Sequence, residues 1–166
     1  MELEARVADL ERRLAALEGA HRAGPRLDDS DFWALNGLKE QLAELGAADG
    51  GILYTGSVRL PTGEPYVWQM GVLTEGLLEE DWTTAAESFA ALGHPVRLRL
   101  LHEILGGRRT AAELAELDEV GTTGQIYHHL RQLTATGWLH TTGRGRYEVP
   151  DQRVVPLLVA VATARP

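Results

Sequence analysis

Between Gly121 and Arg146 the chain reads GTTGQIYHHLRQLTATGWLHTTGRGR, where hydrogen-bonding and cationic side chains recur without one carboxylate. On a helical wheel of about 100° per residue, Ile126, Leu130 and Leu133 fall on one narrow stripe. The opposite side collects Gly124, Tyr127, His128, Arg131 and Gln132, with Gln125 beside it. Such a face can hydrogen-bond to base edges and neutralise phosphates, and it carries no acid to repel them. Thr122 and Thr123 open the helix, and Arg144 and Arg146 follow on a glycine-rich turn. The spacing predicts a DNA-contacting set of Thr122, Thr123, Gln125, Tyr127, His128, Arg131, Arg144 and Arg146.

Those residues need elements to hold them. ALGHPVRLRLLHEIL places Val96, Leu98, Leu100, Leu101, Ile104 and Leu105 at helical spacing, with Pro95 where a first turn tolerates proline. Gly106 and Gly107 stop that helix. Thr110 opens a short one, TAAELAEL, with Glu113 three residues on as a capping box. The loop DEVG then leads to Thr122. Helix, short helix, turn, helix is the helix-turn-helix order. Gly137 closes the polar-faced helix, Trp138, Leu139 and His140 rise into a strand, and Tyr147–Val149 returns after TTGRGR as a wing.

From about Trp82 to Ala162 the chain resembles an ArsR-type winged-helix transcriptional repressor. ALGHPVRLRLL, the spaced TAAELAEL and IYHHLRQLTATGWL carry the resemblance, in order and at the right spacing, over roughly half the chain. The resemblance implies a homodimer that binds double-stranded DNA at a pseudo-palindromic operator and releases it when an effector arrives. Many members of that family sense metals through cysteine thiolates, or through histidine and carboxylate ligands on the last helix. This sequence departs from them: it has Cys 0, and VVPLLVAVA at Val154–Ala162 offers no ligand. His128 and His129 are adjacent and point apart on a helix. His129 lies near the buried stripe as a packing residue with one hydrogen bond, and His128 faces outward. No metal site and no cofactor are expected.

There is no cysteine nucleophile, Gly-x-Ser-x-Gly, phosphate loop or dense carboxylate–histidine cluster, so an enzyme is not expected. A hydrophobic content of 44% is that of a globular chain. No run is long enough to span a bilayer, and MELEARVADLERR is not a signal peptide, so the expected location is cytoplasmic. The net charge of -8 looks wrong for a DNA binder until it is apportioned. Six basic and ten acidic groups lie in residues 1–46, one and seven in residues 47–92, and nine and seven in residues 93–166. The acidity lies outside the winged helix, where it should repel non-specific DNA. The alternative function is a winged helix turned protein–protein module, with little or no DNA binding.

Residues 1–19 carry a second pattern. Leu3, Val7, Leu10, Leu14 and Leu17 form a heptad seam with Leu at d, and Val7 and Leu14 at a. Arg6 and Arg13 at g would face Glu11 and Glu18 at e in a parallel pair, whereas an antiparallel pair would set like against like. The charges favour a parallel dimeric coil; the same seam also suits a helix folded back on its own chain. Under three heptads cannot hold a dimer unaided; the family resemblance implies that the main contact lies on the last helix, at Val154, Leu158 and Val161. Pro156 reads as a first-turn proline of that helix.

Residues 20–30, which include HRAGPRLDDS, read as a linker. Residues 31–80 then hold a helix, with Ser30 or Asp31 as cap and Phe32, Leu35, Leu38, Leu42 and Leu45 as stripe, and two strands, GGILYTGSVRL and YVWQMGVL, joined by PTGEP. Ile52, Tyr54, Val58 and Leu60 share one face; Tyr66, Trp68, Met70 and Val72 share another. Two strands alone are marginally stable, so the hairpin must lie on a helix, join a sheet or pair across a dimer. It serves as a structural brace, or Tyr54, Tyr66 and Trp68 form a small effector- or partner-binding surface. The expected fold class is mainly α with small β: coil, helix, hairpin, then a winged helix-turn-helix domain over residues 81–166.

Overall fold

The structure is a computed structural model that describes residues 6–7, 32–118 and 120–165. Its contacts divide the chain into two units, residues 1–46 and residues 47–166. Leu3, Leu10, Leu14 and Leu17 of the seam, the linker and the caps Ser30 and Asp31 lie outside the described residues; Val7 is helical and exposed. In the first unit, helix α1 spans Trp33–Leu45. It starts after Phe32 with no side-chain cap and ends at Gly46, whose N–H reaches back to Leu42 and Ala43. Leu38 and Leu42 are half-buried on the stripe, and Leu35 and Leu45 are exposed.

The second unit opens with an antiparallel hairpin, β1 (Gly51–Arg59) and β2 (Pro65–Leu73), in register from Gly51↔Leu73 to Arg59↔Pro65. Helix α2 (Thr74–Glu79), a 3-10 turn (Trp82–Ala85) and helix α3 (Ala86–Leu92) follow. Then come α4 (Pro95–Leu105), α5 (Ala111–Ala115), α6 (Thr123–Ala135), the short hairpin β3 (His140–Thr142) and β4 (Arg146–Glu148), and α7 (Asp151–Thr163). This is the expected class, mainly helical with small antiparallel sheets in a winged-helix arrangement.

Local chemistry sets the boundaries. Pro95 occupies the first turn of α4, and the His94 Nδ1 accepts the Val96 N–H at 3.2 Å. Capping boxes open α5 (Thr110 with Glu113) and α6 (Thr122 with Gln125), each satisfying two end groups that would otherwise lack partners. Helix α6 ends as Gly137 turns to φ 74°, with Gly137 N–H bonded to Thr134 O and Trp138 N–H to Leu133 O. That paired closure needs a left-handed residue, which glycine supplies without steric cost.

The core gathers Leu100, Leu101 and Ile104 from α4, Leu114 from α5, Ile126, Leu130 and Leu133 from α6, and Val154 and Leu157 from α7. The 3.6-residue spacing of α6 puts its three apolar residues at 0% exposure, which fixes the rotation of its polar side. The β1–β2 hairpin resolves its three alternatives by lying on α7. Gly56 faces Val155 so closely that an added Cβ would stand 2.6 Å from the Val155 Cγ1. Val58, Leu60 and Tyr66 pack on the core, while Ile52 and Met70 on the same alternation are exposed.

Four sequence expectations change. The short helix stops at Ala115 rather than Leu117. Strand β3 starts at His140, because Trp138 and Leu139 are spent closing α6 and filling the core. Helix α7 begins at Asp151, so Pro156 is its sixth residue and lies inside the helix, not in its first turn. Val154, expected at a dimer contact, is 1% exposed and points into the chain's own core, whereas Leu158 is half-buried and Val161 is exposed.

Candidate nucleic-acid interface

Helix α6 presents Thr123, Gln125, Tyr127, His128 and Arg131 to solvent, and Thr122 stands exposed at its cap. The wing tip adds Arg144 and Arg146, both exposed. Arg144 is the one non-glycine residue at positive φ (66°) among the described residues, held in the left-handed region at the turn. All eight sequence-predicted contacts are therefore accessible, six on α6 and its cap and two on the wing.

Three of them, Thr122, Gln125 and Arg146, have other engagements. The Gln125 Oε1 accepts the Thr122 N–H at 2.8 Å and its hydroxyl at 3.2 Å. Its acceptor is spent on the cap, which leaves the amide N–H pair as its means of reading a base. Arg146 lies in the field of Glu113, whose carboxyl is held below the usual range first by the Thr110 hydroxyl and backbone, and in smaller part by Arg146. The stretch from Gly121 to Tyr147 holds no acid, but Glu148 follows Arg146 by two residues and the fold of α5 brings Glu113 near it as well.

The surface is anchored from behind. Arg97 on α4 donates to the Ala90 and Ala91 carbonyls at the end of α3 and to the Gln132 Oε1 on α6. His129 is half-buried beside His94, with ring centroids 4.8 Å apart, and its Nδ1 is buried without a hydrogen-bond partner. Burial, then the fields of His94, Arg97 and His128, hold its pKa below the ordinary imidazole value. His129 is thus the packing residue that its stripe position predicts, and His128 is outward.

The wing is anchored at its base. Trp138 donates its indole N–H to the Ser88 carbonyl at 3.2 Å, and the Arg153 guanidinium lies 4.8 Å over its ring. On the far side, Tyr147 N–H bonds to the Arg109 carbonyl and Thr110 bridges Arg146, adding a third, one-bridge strand to β3–β4. Sequence reasoning missed Arg97 and Arg109. Each stands in an amphipathic or capping context where a cation reads as solvated surface, and their acceptors are main-chain carbonyls or residues 35 to 45 positions away.

Of the aromatic trio on the hairpin, Tyr54, Tyr66 and Trp68 are all half-buried. The Tyr66 hydroxyl donates to Glu64 Oε2 at 3.3 Å, and the Trp68 Nε1 is buried without a partner. No group of three or more histidine or acidic residues among the described residues is placed to hold a metal ion. None of the described helices is long and apolar enough to cross a membrane.

Over 79 residues the chain is 38% identical to a probable mercury resistance operon repressor of Streptomyces lividans. The match covers 46% of this chain and 62% of that protein, so the chain spans less than two thirds of the curated relative's length. No protein-family model matches the chain. No solved structure matches it either.

Proposed function

We propose that this protein is a dimeric, sequence-specific DNA-binding transcriptional regulator of the ArsR type that represses from a pseudo-palindromic operator. The observation that carries the reading is the fixed rotation of α6. With Ile126, Leu130 and Leu133 fully buried, Tyr127, His128 and Arg131 can only face outward, beside a wing tipped by Arg144 and Arg146. In this reading α6 enters the major groove, and the wing lies on phosphates or the minor groove. The similarity to a resistance-operon repressor supports it. Mercury sensing is not carried over: a soft metal ion is held by thiolates, and this sequence has none.

A two-fold operator calls for a two-fold protein. The proposed contact is on α7 at Leu158 and Val161: Val161 lines an apolar groove of about 550 Å³ together with Phe89, Leu92 and Leu98, and Leu158 is half-buried against the core. The occupant is a second copy of the chain. The seam of Leu3, Val7, Leu10, Leu14 and Leu17 extends that dimer as a parallel coil.

A short wing and a low basic count favour the competing reading of a protein–protein module. Selecting genomic fragments with the purified protein decides between them. Enrichment of a common two-fold sequence supports the regulator; recovery no better than random at moderate salt overturns it.

A further inference from the structure

The β1–β2 hairpin has no part in the helix-turn-helix, yet its loop is tied to the wing through one side chain. Arg109 lies between α4 and α5 with its side chain 15% exposed. Its Nη2 pairs with the Glu64 Oε2 in the hairpin loop and its Nη1 with the Glu148 Oε1 on β4, the latter at 2.9 Å. Its backbone is held as well: the N–H donates to the Glu113 Oε2 at 3.0 Å, and the carbonyl accepts the Tyr147 N–H at 2.6 Å. One residue thus joins the hairpin, α5 and the wing strand.

We propose that Glu64 is a positioning residue for the wing, acting through Arg109; the inference rests on the DNA-binding reading above. A guanidinium this far from water needs its charge met on both arms. Glu64 meets one arm and is itself oriented by the Thr62 hydroxyl at 3.1 Å and the Tyr66 hydroxyl. The Arg109 hydrogen bond holds its carboxyl below the usual range. Without Glu64, Glu148 becomes the sole partner of both arms, or Arg109 swings toward water. Either change pulls on β4 two residues from Arg146. A polar cavity of about 110 Å³, lined by Glu64, Tyr66, Arg109, Glu148 and Asp151, leaves room for that movement. The hairpin thereby sets the angle at which Arg144 and Arg146 are presented.

The test uses the full chain with Glu64→Gln, which keeps the shape and removes the charge. In the free protein, amide hydrogen exchange at β3 and β4 should quicken severalfold while α6 is unchanged. On a DNA fragment that the wild type selects, the slope of log affinity against log salt should fall by about one unit. That fall should vanish in an Arg144→Ala/Arg146→Ala background, since a residue acting through the wing has nothing left to act on. Glu64→Asp, which keeps the charge but shortens the reach, should move both readouts less. Unchanged wing exchange and an unchanged slope in a folded Glu64→Gln protein overturn the inference alone. A wild type that selects no DNA overturns the regulator reading, and the exchange measurement still judges the link from Glu64 to the wing.

Discussion

Arg97 and Gln132 stand 35 residues apart in the chain and meet through a 2.6 Å hydrogen bond from the guanidinium to the side-chain carbonyl. The same guanidinium caps the end of α3 through the Ala90 and Ala91 carbonyls. Three helices are thereby fastened behind the outward face of α6 by one cation, which adds to the apolar packing of Ile126, Leu130 and Leu133.

Arg97→Ala should destabilise the protein by about 1–2 kcal/mol, because water can satisfy the exposed acceptors at Ala90 and Gln132 while the partly buried Ala91 carbonyl loses a charged donor. Arg97→Lys should recover less than half, because an ammonium cannot span three acceptors in a planar fork. Chemical denaturation of the three proteins measures this. A lysine variant as stable as the wild type would show that charge, not geometry, is what α3 and α6 need.

Gly56 and Val155 give a second test. Gly56→Ala should destabilise by about 1–3 kcal/mol through overpacking, because the new methyl would stand 2.6 Å from the Val155 Cγ1. Val155→Ala in the same chain should make room, so the double variant should be less destabilised than the two single losses added together. Additive losses would mean that the hairpin does not rest on α7 at this point.

Gln125 and His128 should separate by role. Gln125→Ala should lose about 0.5–2 kcal/mol of stability, because its side chain completes the capping box of α6. His128→Ala should leave stability nearly unchanged and lower discrimination between operator and scrambled DNA by about 1–3 kcal/mol. If His128→Ala retains full discrimination, α6 does not read bases through that position.

The elements were legible where periodicity and caps speak together. The stripe of Ile126, Leu130 and Leu133, the Thr110 and Thr122 starts and the Gly137 stop all follow from spacing and local hydrogen bonds, and the structure has each of them. Pro156 was misplaced because Pro150 and Asp151 open α7 a turn earlier than the apolar run begins. The surfaces that the candidate site exposes were also readable, since exposure follows from the buried stripe. What holds those surfaces was not. Glu64 sits in PTGEP like any loop acid, and nothing near it in sequence points to Arg109, 45 residues on.

Acidification should weaken the fold through His129. Its folded pKa lies below the unfolded imidazole value, through burial first and then through His94 before α4, Arg97 on α4 and its neighbour His128. In the window between the two pKa values the unfolded chain binds the extra proton, so stability rises with pH. The contribution is complete above about pH 6.5 and is lost as pH falls toward the folded pKa. Thermal unfolding from pH 7.5 down to pH 5 should show the decline, and His129→Gln should flatten it. An equal decline in the variant would assign the effect to other groups.

Arg144 couples strain to the proposed interface. An L-residue in the left-handed region costs roughly 1–2 kcal/mol, and Arg144 sits there at φ 66°. Arg144→Gly should relieve that cost, offset in part by the greater freedom of glycine in the unfolded chain, and so stabilise the free protein by up to about 1 kcal/mol. The same change removes a cation from the wing tip, so DNA affinity should fall and its salt slope should flatten by about one unit. Stability and binding would then move in opposite directions from one substitution. A glycine variant that is more stable and binds DNA with an unchanged salt slope would remove Arg144 from the interface, and with it the reason for an arginine at a position that suits glycine.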